Sequence, residues 1–264
     1  MASSANDEDR VDERDAGESD RLALTPDRTV VVVGGGIVGL SIARELARRG
    51  LRVVVVEADR CGAGASSRAI GVLSPIHPKQ QSTLKRFLRS GYEAWPDFAR
   101  ELRDETAIDI GYRACGSVVL LPGALAREDE VLGEWRGAGI SADLLDRSAI
   151  ARWIPSYGGP FSHGVRIEAG AIVHPPSVIA ALVRAVRKLG VRIIEGTGPV
   201  TLALWPWGGA RLVFAEGSIF PESLDGIDPY SAAIVVAAGA WSTDCTRELP
   251  EPRPKVSPVR GQVI

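Results

Sequence analysis

Three glycines and one acid define the chemistry open to this chain. Gly34, Gly36 and Gly39 stand at G-x-G-x-x-G spacing in TVVVVGGGIVGL, and Glu57 closes the later run RVVVVE. Gly34 permits a tight turn, Gly36 offers bare backbone to a pyrophosphate, and Gly39 lets a helix pack close to the preceding strand. The N–H groups of Ile37 and Val38, at the helix start, would face phosphate. Glu57, followed by Ala58, would accept hydrogen bonds from ribose hydroxyls. These residue types point to the binding of a dinucleotide. No Ser-His-Asp set, Cys-His pair or metal-ligand spacing occurs in the sequence.

Such a site needs a strand, a turn, a helix and a second strand in that order, and residues 29–57 supply them. Val30 to Val33 are β-branched and apolar, as in a buried parallel strand. The helical pattern that follows places Leu40, Ala43, Leu46 and Ala47 on one face and Arg44, Glu45, Arg48 and Arg49 on the other. Gly50 fits a left-handed cap, and Val53 to Val56 form the second strand. A glycine-rich turn in an ordinary α/β protein would explain the glycines, but not their combination with both strands, the helix and Glu57.

Residues 58–75, ADRCGAGASSRAIGVLSP, read as a long irregular loop beginning beside the nucleotide. Gly62, Ala63, Gly64, Ala65, Ser66 and Ser67 let the backbone approach a ligand, and Ser66 and Ser67 offer hydroxyls to phosphate. GGGIVG, Glu57 and GASSRAIGVLSP together resemble the FAD-dependent amino-acid oxidase family, in particular the glycine oxidase, D-amino-acid oxidase and sarcosine oxidase group. The resemblance implies FAD as cofactor, with Ser66, Ser67, Ile70, Gly71 and Val72 along the ribityl chain and flavin ring. Ile70 departs from the family pattern, which usually has Ala there. It also implies that Val200 touches the adenine through its backbone and that Gly239, in AAGAWS, lets the chain pass close to the cofactor pyrophosphate.

The resemblance further implies an α/β fold: a Rossmann-like FAD-binding domain with a parallel sheet, and an α+β substrate domain, present in part, with an antiparallel sheet. The expected division is an acidic disordered tail at 1–26, FAD-binding segments at 27–107 and 163–245, a substrate-domain segment at 108–162, and a further substrate-domain strand at 246–264. Periodicity predicts a helix over 82–105, kinked or split at Pro96, with Phe87, Leu88, Tyr92, Trp95, Phe98 and Leu102 in the core. Strands are expected at Ile110 to Arg113, Ser117 to Leu121, Val191 to Ile194, Ala233 to Val236 and Lys255 to Ile264. Helices are expected at 124–136, Ser148 to Trp153 and between Pro176 and Gly190, and a hairpin around Gly208-Gly209. His77, His163 and His174 read as structural or solvated, and Arg113 and Arg260 as solvated or salt-bridged.

Composition sets the outer limits. The chain has 264 residues, 45% of them hydrophobic and 24% charged, as in a globular protein with no membrane span. Its net charge of −2 gives no sign of a nucleic-acid partner. The first twenty residues carry eight carboxylates and two arginines and read as a solvating tail, unlike a secretory or transit signal. Cys61, Cys115 and Cys245 are odd in number and widely spaced, which suggests free thiols and a cytoplasmic location, with Cys61 a small apolar filler.

By resemblance, the reaction is oxidation of the amine of glycine, sarcosine or a D-amino acid by hydride transfer to flavin, with oxygen as acceptor. Family members continue for roughly another hundred residues, so a C-terminally truncated chain is expected, with its carboxylate-clamping arginine elsewhere. The partners expected are a small amine or amino acid and either a second copy or a completing chain. Other readings stand beside this one. Glycerol-3-phosphate-type flavin dehydrogenases share a run like Ser66-Ser67-Arg68. Glu57 would suit an NAD enzyme, but the long loop at 58–75 would not. The remaining reading is a truncated product that binds nucleotide weakly, or a non-catalytic binding module.

Overall fold

The apolar run at residues 30–33 forms the centre of the molecule as β1 (Thr29–Val33), buried along its whole length. The computed structural model describes residues 29–74, 83–121, 128–137, 139–206, 209–215, 233–253 and 255–259. The expected acidic tail, His77, Gly208 and Arg260 lie outside them. After the glycine turn come α1 (Ile37–Arg48) and β2 (Arg52–Val56), which runs parallel to β1 with Val30 opposite Val53. Gly50 ends α1 at φ +82°, in the left-handed region. Residues 58–74 hold a 3-10 turn at Ala65–Ser67 and the two-residue strand β3 (Val72–Leu73), and are otherwise irregular.

Next come α2 (Thr83–Thr106), β4 (Arg113–Ala114), β5 (Ser117–Leu121), α3 (Glu128–Gly137), β6 (Ala142–Asp146), α4 (Arg147–Trp153) and β7 (His163–Ile167). Asp146 starts α4 as a cap, accepting from Ala149 N–H at 2.7 Å. The chain continues through β8 (Ala171–Ile172), α5 (Pro175–Lys188), β9 (Arg192–Ile194), β10 (Val200–Leu204), β11 (Ala210–Phe214), β12 (Ala233–Val236) and α6 (Ser242–Cys245). Pro175 and Pro176 open α5, where their missing N–H groups leave no helical bond unmade.

The parallel sheet has the order β12-β1-β2-β9. Its strands alternate between two apolar faces. Val30, Val32, Val53 and Val55 pack with Leu40 and Ala43 of α1, Leu102 of α2, and Val178 and Leu182 of α5. Val31, Val54 and Val56 pack with Val200, Leu212 and Phe214 of the β10–β11 hairpin. Two antiparallel sheets complete the fold, β5-β7-β6 and β3-β8-β4. β7 pairs with β5 and β6, and the chain rejoins the parallel sheet at β9.

Several local expectations change. Arg44, read as part of a solvent face, is 4% exposed because α2 crosses that side of α1. Its guanidinium bonds Glu105 at 2.6 and 2.9 Å and Glu101 at 2.8 Å, and it lies 5.5 Å from the centre of the Phe98 ring. α2 runs through Pro96 as one helix. Its first turns extend past the core, so Phe87 and Leu88 are exposed, while Leu102 is buried and Trp95 and Phe98 meet edge to face. The strand expected at Ile110 to Arg113 reduces to the Arg113–Ala114 ladder, because Ile110 only receives the His174 N–H. Residues 255–259 form no strand, and the rest of that predicted strand is outside the described residues.

Candidate nucleotide-binding site

The glycines of the turn serve different purposes. Gly34 has φ +110°, and a Cβ there would stand 2.4 Å from Ala237 O. A Cβ on Gly39 would stand 1.9 Å from Gly34 O. Both glycines are demanded by packing, Gly34 against the end of β12 and Gly39 against the turn itself. Gly36 differs. It has φ −77° and ψ −178°, open to any residue, and its Cβ would meet only the Ser66 hydroxyl, at 3.0 Å. The space over Gly36 is an open cradle at the N-terminus of α1.

That helix end has no side chain of its own to cap it. Its first turn has no acidic residue, and Gly36, at the cap position, has no side chain to bond it. The Ile37 N–H donates to Ser66 Oγ at 3.0 Å. The Val38 and Gly39 N–H groups meet no acceptor among the described residues. A bare helix start of this kind, roofed by a rotatable hydroxyl, suits a phosphate oxygen. The residues therefore fit a dinucleotide pyrophosphate.

Glu57 does more than the sequence suggests. Its carboxylate accepts from Gly35 N–H at 2.6 Å and from Asp59 N–H at 3.0 Å, clamping the glycine turn to the following loop. Each oxygen keeps lone-pair capacity for a ribose hydroxyl. The loop is held from behind by residues that the sequence did not single out. Thr197, 1% exposed, donates its N–H and hydroxyl to Glu57 O, both at 3.2 Å. Gly196 and Gly198 donate to Asp59 O and Ala58 O at 2.7 and 2.9 Å. Glu195 accepts from Cys61 N–H at 2.6 Å. The only local signal was E-G-T-G-P, whose glycines at φ +74° and +70° mark a chain bent to follow another. Val200 follows this brace as the first residue of β10, paired with Phe214.

Burial, with the Glu195 and Glu57 carboxylates nearby, pushes the Cys61 thiol up to about 12. It is a neutral packing group, as expected. Beyond the 3-10 turn at Ala65–Ser67, Gly71 has φ +83°, and its Cβ would stand 2.1 Å from Val173 O. This pins the loop to the start of α5 while Ile70 and Val72 remain 65% and 57% exposed on either side. Val38 is likewise exposed at the helix start. Gly239 has φ +56°, in the left-handed region, and no protein atom lies within 4 Å of where its Cβ would stand. Within the protein, the close approach at the end of β12 is that of Ala237 O to Gly34.

The remaining candidates lie apart. His174 precedes α5 and pairs its Nδ1 with Ser177 Oγ at 2.8 Å, and His163 pairs with Ser162 at 3.0 Å. Arg113 is exposed on β4. No cluster of His, Cys, Asp or Glu among the described residues could hold a metal ion.

A family of FAD dependent oxidoreductases matches residues 29–264. The chain belongs to it. The glycine oxidase of Bacillus licheniformis is 29% identical over 236 residues, covering 89% of this chain and 60% of that protein. The glycine oxidase of Pseudomonas aeruginosa is 30% identical over 242 residues, covering 89% and 61%. Among solved structures, glycine oxidase from Geobacillus kaustophilus superposes with a TM-score of 0.67 at 28% identity, covering 82% of this chain and 57% of that one. The chain thus spans about 60% of the length of these curated relatives. Family membership agrees with FAD as cofactor and with the α/β architecture of a parallel sheet and antiparallel sheets. No described helix is long and apolar enough to cross a membrane.

Proposed function

We propose that this chain holds FAD for the oxidation of the amine of a small amino acid, with glycine, sarcosine or a D-amino acid as substrate and oxygen as electron acceptor. The observation that carries the reading is the open cradle over Gly36, at a helix start with unmet N–H groups and no acidic residue in its first turn. In this reading the Ile37 and Val38 amides and the Ser66 hydroxyl hold the pyrophosphate. Glu57 and Ala58 hold the adenosine ribose, and the Val200 backbone meets the adenine. Ala65, Ser67, Ile70, Gly71 and Val72 line the path to the flavin ring, with Gly239 shaping the turn opposite. Gly34 and Gly39 act by letting these parts close together.

Bound FAD supplies the two-electron acceptor that an amine oxidation requires. The chain supplies position and exclusion of water: neutral amides and hydroxyls at the phosphates, a carboxylate at the sugar, and apolar side chains along the loop. The glycine oxidase names of the relatives support the substrate class, and the three free cysteines suit a reducing cytoplasm. The test is titration of purified protein with FAD and with NAD, followed by a peroxide assay on glycine, sarcosine and D-amino acids. Stoichiometric flavin is expected from residues 1–264, with little or no peroxide from these residues alone and peroxide from one of these amines when the protein is assayed at the full length of its relatives. Uptake of NAD in place of FAD refutes the cofactor, and failure of all these amines to reduce the flavin at that full length refutes the substrate class.

A further inference from the structure

The end of β12 carries a large apolar ring that the fold leaves bare. Trp241 closes the 3-10 turn Gly239–Trp241 and is 62% exposed, whereas Cys245, four residues on, is buried. The backbone beneath the ring is fixed. Ala237 N–H donates to Val33 O at 2.8 Å, and Trp241 N–H to Ala238 O at 3.1 Å. The ring leans away from its own strand toward the loop at 58–74. Its Cζ3 and Cη2 lie 3.6 and 4.0 Å from where a Cβ on Gly64 would stand. Gly64 directly precedes the turn containing Ser66, whose hydroxyl holds the first amide of α1.

The indole therefore reaches from the β12 end, which packs on Gly34, to the loop that roofs Gly36. At Gly64 no side chain stands between the ring and the loop backbone. A large aromatic ring in water forgoes most of its burial energy, and unlike the exposed rings of Phe87 and Trp153 this one lies against the loop that carries Ser66. Val38 at the start of α1, and Ile70 and Val72 on the loop at 58–74, are exposed as well.

We propose that Trp241 is a cofactor-contacting residue, its indole forming an aromatic wall of the nucleotide cleft between bound FAD and the Gly64 backbone. The proposal rests on the FAD reading and adds a contact to it. Loading would bury the ring, so its emission reports occupancy directly.

The test is FAD titration of the 264-residue protein, following flavin and tryptophan fluorescence, with Trp241→Ala, Trp241→Phe and, as a distant exposed control, Trp153→Phe. Trp241→Ala is expected to weaken FAD binding about 10-fold and Trp241→Phe less than about 3-fold, because the phenyl ring keeps part of the contact. Trp241→Phe should also remove a larger share of the FAD-dependent quenching than Trp153→Phe. Melting temperatures without FAD should match the wild type, since the ring is exposed. Wild-type FAD affinity in Trp241→Ala overturns the proposal and leaves the FAD reading standing. A wild-type protein that takes up no FAD overturns both.

Discussion

Replacing Gly36 separates the nucleotide site from the fold that carries it. Gly36 occupies ordinary extended backbone, and an added Cβ meets only the Ser66 hydroxyl, which can rotate away. Gly36→Ala should therefore keep stability within about 1 kcal/mol of the wild type. The methyl group fills the cradle, however, and holds a phosphate off the helix amides. Losing one charge-assisted hydrogen bond is worth about 1.5–3 kcal/mol, or about 10- to 150-fold in FAD affinity. Gly39→Ala is the contrast. Its Cβ would stand 1.9 Å from backbone at Gly34, which no rotamer relieves, so the turn must open and about 3 kcal/mol of stability is lost with the affinity. The assays are thermal melts without ligand and FAD titrations for both variants. Wild-type FAD affinity in Gly36→Ala, or loss of folding as large as in Gly39→Ala, refutes the reasoning.

Glu57→Gln should weaken FAD binding roughly 10-fold, and Glu57→Ala should also destabilise the apoprotein by about 1–2 kcal/mol by leaving the Gly35 and Asp59 amides without their acceptor; titration and melting read the two effects separately. Arg44→Met should lower stability by about 2–4 kcal/mol in urea unfolding, because the buried guanidinium joins α1 to both Glu101 and Glu105. Arg44 and Arg48 hold the Glu101 carboxyl below its ordinary value, so the contribution of that pair is complete above about pH 4.3 and is lost as pH falls through the depressed value. Arg44→Met should flatten that acid limb in a pH series of melts. FAD should leave the protein on acid precipitation, since Ser66-Ser67-Arg68 contains no His or Cys and Cys61 precedes the part of the loop expected to face the flavin ring; flavin retained in the pellet would contradict this.

The nucleotide unit was legible in the sequence because its information is local. The valine runs, the glycine spacing, Gly50 and Glu57 all lie within one strand-helix-strand unit, and the structure forms that unit as expected. What stayed hidden depends on partners far along the chain. Arg44 looked like a solvent residue because Glu101 and Glu105 are 57 and 61 residues away. The clamp from Glu195 onto Cys61 crosses 134 residues. Strands of two residues, such as β3 and β8, have too little periodicity to announce themselves, and their pairing is decided by the loops that deliver them. Glu57 was recognised for its type, but its bond to Gly35 became visible only once turn and loop had been placed together.

The order of strands in the parallel sheet also sets a timetable. β1 meets β2 almost as soon as both exist, but its other neighbour is β12, with Val30 opposite Ala233. At translation rates of ~5–20 residues/s, the chain between these two partners takes roughly 10–40 s to make. For that interval the glycine turn lacks the wall that Ala237 provides, and β1 presents an open hydrogen-bonding edge in the middle of what will become the sheet. Contact order this high makes the last pairing the slow one. Nascent chains shorter than about 240 residues should therefore remain protease-sensitive and prone to edge-to-edge association, and a flavin supply cannot rescue them before β12 has docked.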